Sequence, residues 1–154
     1  MRLSTALVCL GWLAGAGYAD AQVAPYWNAQ WGGPQGASLG LGLRVGRTDG
    51  ESLKITKRAL LIEARPGVDG GAFHLGYVPI SGSTHGLQFA GVALKGTLLR
   101  TWGSPGGTLL PQTTYAGGEL HVAWVVKGSV GVLWRVSGGS SDSRVVTFSV
   151  GVGL

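Results

Sequence analysis

The sequence predicts an all-β protein: an eight-stranded antiparallel up-and-down transmembrane β-barrel that follows an N-terminal signal peptide. Three observations lead to this fold class. They are the alternating pattern of the last strand, a composition rich in glycine and poor in charge, and an N-terminus typical of secreted precursors.

The last residues of the chain alternate strictly between two kinds of side chain. Every second residue from 146 onward is apolar, and the residues between are small or hydroxylated. The apolar positions are Val146, Phe148, Val150, Val152 and Leu154. A period of two indicates a strand with two different faces, and about 9–11 residues suffice to cross a bilayer at a tilt.

The composition differs from that of soluble domains. The chain holds 29 glycines in 154 residues, only 12% of its residues are charged, and its mean hydropathy is positive. Soluble domains carry about 25% charged residues. The net charge is +5, but the basic residues are dispersed, which argues against nucleic-acid binding and favours a mild attraction to anionic lipid head groups.

Residues 1–21 are predicted to be a cleaved signal peptide. Arg2 supplies a positive start, residues 6–17 are mostly apolar, and residues 19–21 (Ala-Asp-Ala) match a small-x-small cleavage site. A buried N-terminal helix is the alternative. Residues 22–36 are predicted to form an N-terminal periplasmic segment, and residues 37–154 the barrel. The only cysteine, Cys9, lies in the signal, so the mature chain has neither a disulfide nor a thiolate site.

Alternation and turn residues predict the eight strands in order. They span residues 37–46, 53–65, 71–79, 86–94, 98–102, 113–126, 130–136 and 144–154. Short turns are predicted at 66–70, 95–97 and 127–129, and longer connections at 47–52, 80–85, 103–112 and 137–143. Short turns at one end and longer loops at the other are typical of bacterial outer-membrane barrels, and an even strand number places both termini on the periplasmic side.

The two faces of these strands predict lipid outside and a polar network inside. A soluble barrel covers its water face with charged residues, whereas here the non-apolar face carries glycine, hydroxyl groups and isolated charges; an eight-stranded lumen has room only for its own side chains. The predicted lumen network is Arg44, Glu63, Arg65, His74, Glu119, His121 and Arg135. The predicted lipid-facing residues are Leu39, Leu41, Leu43, Phe73, Leu75, Val122, Trp124, Val132, Trp134, Phe148, Val150 and Val152. Arg100 departs from the pattern, since it shares a face with Leu98 and Trp102.

Aromatic residues near predicted strand ends suggest interfacial girdles. They are Tyr77, Trp102, Tyr115 and Trp134.

These patterns resemble the small eight-stranded outer-membrane barrels of Gram-negative bacteria, the class that includes outer membrane proteins X and W and the barrel of outer membrane protein A. The resemblance covers the mature chain as a pattern, without a family-specific motif. It implies an outer-membrane location, contact with outer-membrane lipids and lipopolysaccharide, and insertion by the barrel assembly machinery. The last strand of that class normally ends in an aromatic residue, whereas this chain ends in Leu154.

Some barrels of this size modify lipid A, and the deacylases among them carry a His-x-Ser-Asn motif. None of the three histidines here is followed by that motif. Glu119 and His121, with His74 or Glu63, remain weak candidates for a base with an orienting carboxylate. A structural ion-pair network is favoured, because the arginines of this face need acidic partners. No metal or cofactor is predicted, since the histidines lack a metal-ligand spacing.

The sequence therefore predicts a small integral outer-membrane protein with a structural or interaction role. It predicts no open pore, because eight strands leave no aqueous channel. Two alternatives stay open: a lipid-modifying outer-membrane enzyme that lacks the deacylase motif, and a soluble secreted lipocalin-like barrel that binds a hydrophobic ligand. The oligomeric state is left open.

Overall fold

A computed structural model of the chain describes residues 21–49, 53–84, 87–103, 110–138 and 144–153. The first twenty residues of the predicted signal peptide, the middle of several connections and Leu154 lie outside the described residues. The elements are β1 (Gln22–Gly33), β2 (Gly36–Asp49), β3 (Leu53–Pro66), β4 (Gly70–Thr84), β5 (Leu87–Thr101), β6 (Thr114–Trp124), β7 (Val126–Ser137) and β8 (Arg144–Gly153). Among the described residues there is no helix with the length and hydrophobicity needed to span a membrane.

The eight strands form a closed ring. Each strand pairs antiparallel with its neighbours in the sequence, and β8 pairs with β1 to complete the ring. The predicted all-β fold with eight antiparallel up-and-down strands is therefore confirmed.

The register shows that the strands are staggered around the ring. Starting on β1 and moving each time to the paired residue of the next strand, the path runs through Trp27, Leu41, Ala64, Phe73, Leu98, Ala116, Trp134 and Arg144. Arg144 lies four residues before Phe148, which pairs with Gly33 at the end of β1. Followed once around the ring from Trp27, the pairing therefore arrives beyond the last residue of β1 and not back at Trp27. A stagger of this kind requires strands that tilt relative to the axis of the ring.

The number of strands is as expected, but two assignments are wrong. Residues 22–33, expected to lie in a segment before the barrel, form β1 and complete the ring. The two strands expected at 86–94 and 98–102 are one strand, β5, and the turn expected at 95–97 lies in its middle. The physical reason is long-range: the ammonium group of Lys95 faces inward and pairs with a buried carboxylate.

The turn expected at 127–129 is also misplaced. The chain reverses at Val125, which has a positive φ of 64°, and its neighbours Trp124 and Val126 pair with each other. Lys127 consequently lies in β7 and faces the interior, where it is 5% exposed.

The two ends of the ring differ in the length of their connections. The terminal end carries the first residue of β1, the last residue of β8 and the short connections after β2, β4 and β6. The loop end carries the connections after β1, β3, β5 and β7, of which residues 102–113 and 138–143 are the longest. Three connections lie at the end opposite to the one expected: 66–70, predicted as a short turn beside the termini, belongs to the loop end, and 47–52 and 80–85, predicted as longer connections of the other end, belong to the terminal end. The physical reason is that β1 precedes the first predicted strand and reverses the ends up to β4, whereas the merging of two predicted strands into β5 restores the expected ends after it.

The interior consists of two apolar layers with a polar layer between them. The terminal-end apolar layer consists of Tyr26, Ala59, Leu61 and Val78, with Ala93 packed against it. The loop-end apolar layer consists of Ala72, Leu99, Tyr115 and Leu133, with Val145 packed against it. Strand β5 shows the order, since Lys95 and Thr97 follow Ala93 and precede Leu99. Lys95 and Thr97 therefore lie between the two apolar layers.

Candidate functional site: the polar layer inside the ring and the apolar belt outside

Glu63 anchors the first half of the polar layer. Its side chain is fully buried on β3, and its two carboxylate oxygens have different partners. Asn28 Nδ2 donates to Oε1 at 2.8 Å, and Lys95 Nζ donates to Oε2 at 2.5 Å. Gly40 on β2 faces this pair, and a Cβ at that position would collide with both Asn28 and Glu63. The glycine thus leaves the space that the charged cluster occupies.

Glu119 on β6 anchors the second half. Its Oε2 accepts a hydrogen bond from Arg65 Nη2 at 3.2 Å and contacts His121 Nε2 at 3.0 Å. Its Oε1 accepts from Thr147 Oγ1 at 3.0 Å. His74 Nδ1 lies farther away, 3.9 Å from Oε2. Four strands therefore place a side chain against this one carboxylate.

Hydrogen bonds connect the Glu119 cluster to the strands that close the ring. Arg65 Nη1 donates to Gln30 Oε1 at 2.7 Å, and Ser149 Oγ donates to the same oxygen at 2.6 Å. Ser149 Oγ is also 2.6 Å from Ser129 Oγ. Because Gln30 lies on β1 and Ser149 on β8, this network ties the first strand to the last.

The structure brings five of the predicted lumen residues together in the polar layer: Glu63, Arg65, His74, Glu119 and His121. Arg44 and Arg135 also belong to inward-facing positions, but they lie on either side of this cluster. Arg44 is nearer the terminal end, where its Nη1 donates to Ser81 Oγ at 3.1 Å. Arg135 is partly buried near the loop end, at a position that pairs with Tyr115.

Sequence reasoning missed several interior polar residues. They are Tyr26, Asn28, Gln30, Lys95, Thr97 and Lys127. The first three lie in the overlooked β1, and both lysines were assigned to turns. The alternation of Tyr26, Asn28 and Gln30 with residues of the outer face was the signal that could have identified β1.

The described residues around His74 do not place a nucleophile, a base and an orienting acid in series. His74 Nδ1 is 2.8 Å from Thr97 Oγ1 and also faces Glu119, while His74 Nε2 makes no hydrogen bond with the described residues. A relay needs the two ring nitrogens to have separate partners. The rings of His74 and His121 meet edge to face, with centroids 6.2 Å apart.

The described residues also contain no cluster of three or more His, Cys, Asp or Glu residues placed to hold a metal ion. The side chains of the polar layer bind one another, so the layer connects strands across the interior of the ring.

The outer face of the ring is an apolar belt. The residues predicted to face lipid all lie on this face: Leu39, Leu41, Leu43, Phe73, Leu75, Val122, Trp124, Val132, Trp134, Phe148, Val150 and Val152. Val132 is partly exposed, and the others are 47–76% exposed. Leu94, Leu120 and Val130 belong to the same belt.

Charged side chains border the apolar belt. Those near the terminal end are Arg47, Asp49, Lys57 and Arg58, and those near the loop end are Arg100 and Arg144. Arg100, which departed from the expected pattern, is exposed close to the end of β5, where its Nη1 donates to Thr114 Oγ1 at 3.0 Å. Its position at the border explains why it shares a face with apolar residues.

The four aromatic residues expected in interfacial girdles lie on two different faces. Tyr77, Trp102 and Trp134 are exposed on the outer face. Tyr115 is only 1% exposed, because it faces inward in the loop-end apolar layer. Trp102 also fastens the loop end, since its Nε1 donates to the carbonyl of Val68 at 3.0 Å.

Comparison with protein families, with curated proteins and with solved structures found no match to this chain.

Proposed function

We propose that this protein is a small integral outer-membrane β-barrel with a structural or interaction role and no open pore. The observation that carries the proposal is that the inner face of the sheet is polar and the outer face is apolar, the reverse of a soluble protein. Carboxylates and buried cations lie inside, as Glu63 and Lys95 do, while the outer face exposes residues such as Leu41 and Phe148. Large continuous apolar surfaces mark contact with lipid or protein, because water disfavours them.

The position of the charges supports a lipid environment for the belt. An arginine or lysine on the lipid face costs about 2–4 kcal/mol at the midplane and little near the interfaces. The exposed charges of the described strands follow this rule, since Arg47 and Lys57 lie toward one border and Arg100 and Arg144 toward the other. The strands contain 10 to 15 residues, enough for a tilted crossing of roughly 9–11 residues.

The proposed orientation follows from the connections. The terminal end, with its short turns, faces the periplasm, and the loop end faces outward. Arg100 and Arg144 at the loop end would then meet the phosphate groups of lipopolysaccharide, whose negative charge attracts exposed guanidinium groups. This orientation requires export by the predicted signal peptide and insertion by the barrel assembly machinery.

The filled interior supports the absence of a pore. The ion pairs of Glu63 and Glu119 cross the ring, and an apolar layer covers them on each side. The same filling disfavours the lipocalin-like alternative, because a hydrophobic ligand would have to displace buried charges. It also disfavours the enzyme alternative, because Glu119 and His121 are only 5% and 6% exposed and are held by each other.

Fractionation of the producing cell, combined with heat-modifiability on a gel, tests the proposal. We expect the mature chain in the outer-membrane fraction, with an unheated band that migrates differently from the heated one. Recovery of the mature chain in the detergent-free periplasmic fraction would favour the soluble alternative and overturn the proposal.

A further inference from the structure

A shallow groove interrupts the apolar belt on the outer face of β5, β6 and β7. Gly96 and Gly118, which pair with each other, form its floor, and both are exposed. A Cβ at Gly96 would lie 3.7 Å from its nearest neighbour, a backbone oxygen, and a Cβ at Gly118 would lie 3.8 Å from another. The apolar walls come from Leu94, Leu120, Val130, Val132 and Trp134. The two glycines therefore leave room for a narrow apolar chain, and we call this feature the β6 groove.

The β6 groove is bordered by large side chains toward the terminal end and continues over small ones toward the loop end. Leu94 and Leu120 pair with each other beside the two glycines. In the other direction the next outward residues of β6 are Ala116 and Thr114. Thr114 lies four residues from Gly118, about 13 Å along the strand. This length is comparable to half the hydrocarbon core of a bilayer, about 15 Å.

A guanidinium group lies at the loop-end mouth of the β6 groove. Arg100 on β5 is exposed, and its Nη1 donates to Thr114 Oγ1 on β6 at 3.0 Å. This hydrogen bond directs the Arg100 side chain over β6, in line with the small residues. A guanidinium group has five N–H donors in a geometry that matches phosphate, so Arg100 can bind a phosphate while it keeps Thr114. Arg144 adds a second exposed cation to this border, beside Trp134.

The charge at the mouth distinguishes between two occupants of the β6 groove. A second copy of the chain is the competing occupant, because small residues let membrane-spanning segments approach closely. Two copies in one membrane share an orientation, and a two-fold interface brings the same patch of each together. Each Arg100 would then lie near the other, and like charges across an interface are unfavourable. A lipid with a phosphate head group instead supplies the opposite charge.

We propose that the β6 groove binds one acyl chain of a lipopolysaccharide molecule, with a phosphate of the same molecule at Arg100. This inference rests on the proposed function, because it requires the belt in lipid and the loop end in the outer leaflet. Within lipid the acyl chain gains close packing against the glycine backbone. The phosphate gains charge-assisted hydrogen bonds from the guanidinium group. The site therefore needs both the open floor and the arginine.

Native mass spectrometry tests the floor of the β6 groove. The purified, folded protein is released from phosphatidylcholine nanodiscs that contain a small fraction of lipid A, and the lipid A retained by each chain is counted. We expect one lipid A for each wild-type chain. Gly118→Leu fills the groove and should lower the apparent affinity about tenfold, which corresponds to ~1.4 kcal/mol. If Gly118→Leu does not fold, Gly96→Leu replaces it, with the same loss expected.

Gly128→Leu is the matched control, because it adds the same side chain to the belt outside the groove. Gly128 lies on β7 near the terminal end, where a Cβ would meet only a backbone oxygen, at 3.9 Å. We expect this variant to retain lipid A like the wild type.

The head-group contact is measured separately. Arg100→Gln should lower the affinity for lipid A about tenfold, since it removes a charged partner of the phosphate. With dephosphorylated lipid A, Arg100→Gln should match the wild type. Arg47→Gln is the control, because Arg47 is exposed at the opposite border, and it should retain lipid A.

The outcomes separate the groove from the proposed function. Equal retention by Gly118→Leu and Gly128→Leu, or a loss with Arg100→Gln alone, would overturn the groove site while the belt stays in lipid. A wild-type dimer that Gly118→Leu dissociates would overturn it as well, since the groove would then hold a second copy. Failure of the wild type to enter nanodiscs would overturn the proposed function and this inference with it.

Discussion

Lys95 and Glu63 form an ion pair that crosses the interior of the ring between two strands that are not neighbours. The pair joins β5 to β3 at 2.5 Å, and neither residue is more than 3% exposed. Strand β4 lies between them and contributes Gly76, where a Cβ would come within 3.0 Å of Lys95 Cγ. The pair therefore depends on the absence of a side chain at Gly76 as well as on its two charges.

The first prediction concerns this pair. Glu63→Gln should lower the free energy of unfolding by about 3–5 kcal/mol, because it leaves the Lys95 ammonium group buried without its carboxylate. The double variant with Lys95→Met should lose less than the sum of the two single losses, since the residues are in direct contact. Urea unfolding in detergent micelles measures both effects. Additive losses would contradict a coupled pair.

The second prediction compares two glycines on opposite faces. A Cβ at Gly131 would lie 2.5 Å from Glu119 Cγ and 2.8 Å from Thr147 Oγ1, whereas at Gly118 it would meet only the carbonyl of Lys95, at 3.8 Å. Gly131→Ala should therefore lower the free energy of unfolding by about 1–3 kcal/mol through overpacking. Gly118→Ala should have a smaller effect. The same urea assay measures both variants, and equal losses would mean that space inside the ring is not limiting.

The alternation of side chains was enough to predict the faces of the strands. In β8 the apolar positions Val146, Phe148, Val150 and Val152 are exposed, and Thr147 faces inward. This pattern is local, because each strand position has only two possible faces. Buried charges such as Glu63 and Glu119 could be assigned in the same way.

The limits of each strand depend on contacts that the local sequence does not contain. Lys95-Gly96-Thr97 has the composition of a hairpin turn, yet it continues β5 because its lysine reaches Glu63, 32 residues earlier in the chain. Lys127-Gly128-Ser129 fails as a turn for a similar reason, since Lys127 reaches Tyr26 across the interior. Strand β1 was overlooked because its inward residues are amides and a tyrosine, whose partners come from other strands.

The third prediction addresses the enzyme alternative. Glu119→Gln and His121→Ala should leave the acylation of lipid A unchanged, because both side chains face the interior of the ring and are at most 6% exposed. Mass spectrometry of lipid A from cells that express each variant measures this. The wild-type chain and an empty vector are the controls. A difference in acyl composition between the wild type and the vector that Glu119→Gln abolishes would favour the enzyme.

The fourth prediction tests the environment of the apolar belt with a single side chain. Val150 is 58% exposed on β8, where it pairs with Trp31 on one side and Gly128 on the other. In lipid, Val150→Arg should cost up to about 2–4 kcal/mol and reduce the folded fraction in the outer membrane. On a soluble protein the same exposed substitution would change the stability by no more than about 0.5 kcal/mol.

Val150→Leu is the matched control for this substitution, since it keeps the apolar surface at nearly the same size. We expect it to assemble like the wild type, with the same proportion of heat-modifiable band. The measurement is the ratio of folded to unfolded band in outer membranes from cells that express each variant at equal levels. Equal folded fractions for Val150→Arg and Val150→Leu would show that the belt faces water, and the membrane proposal would then be wrong.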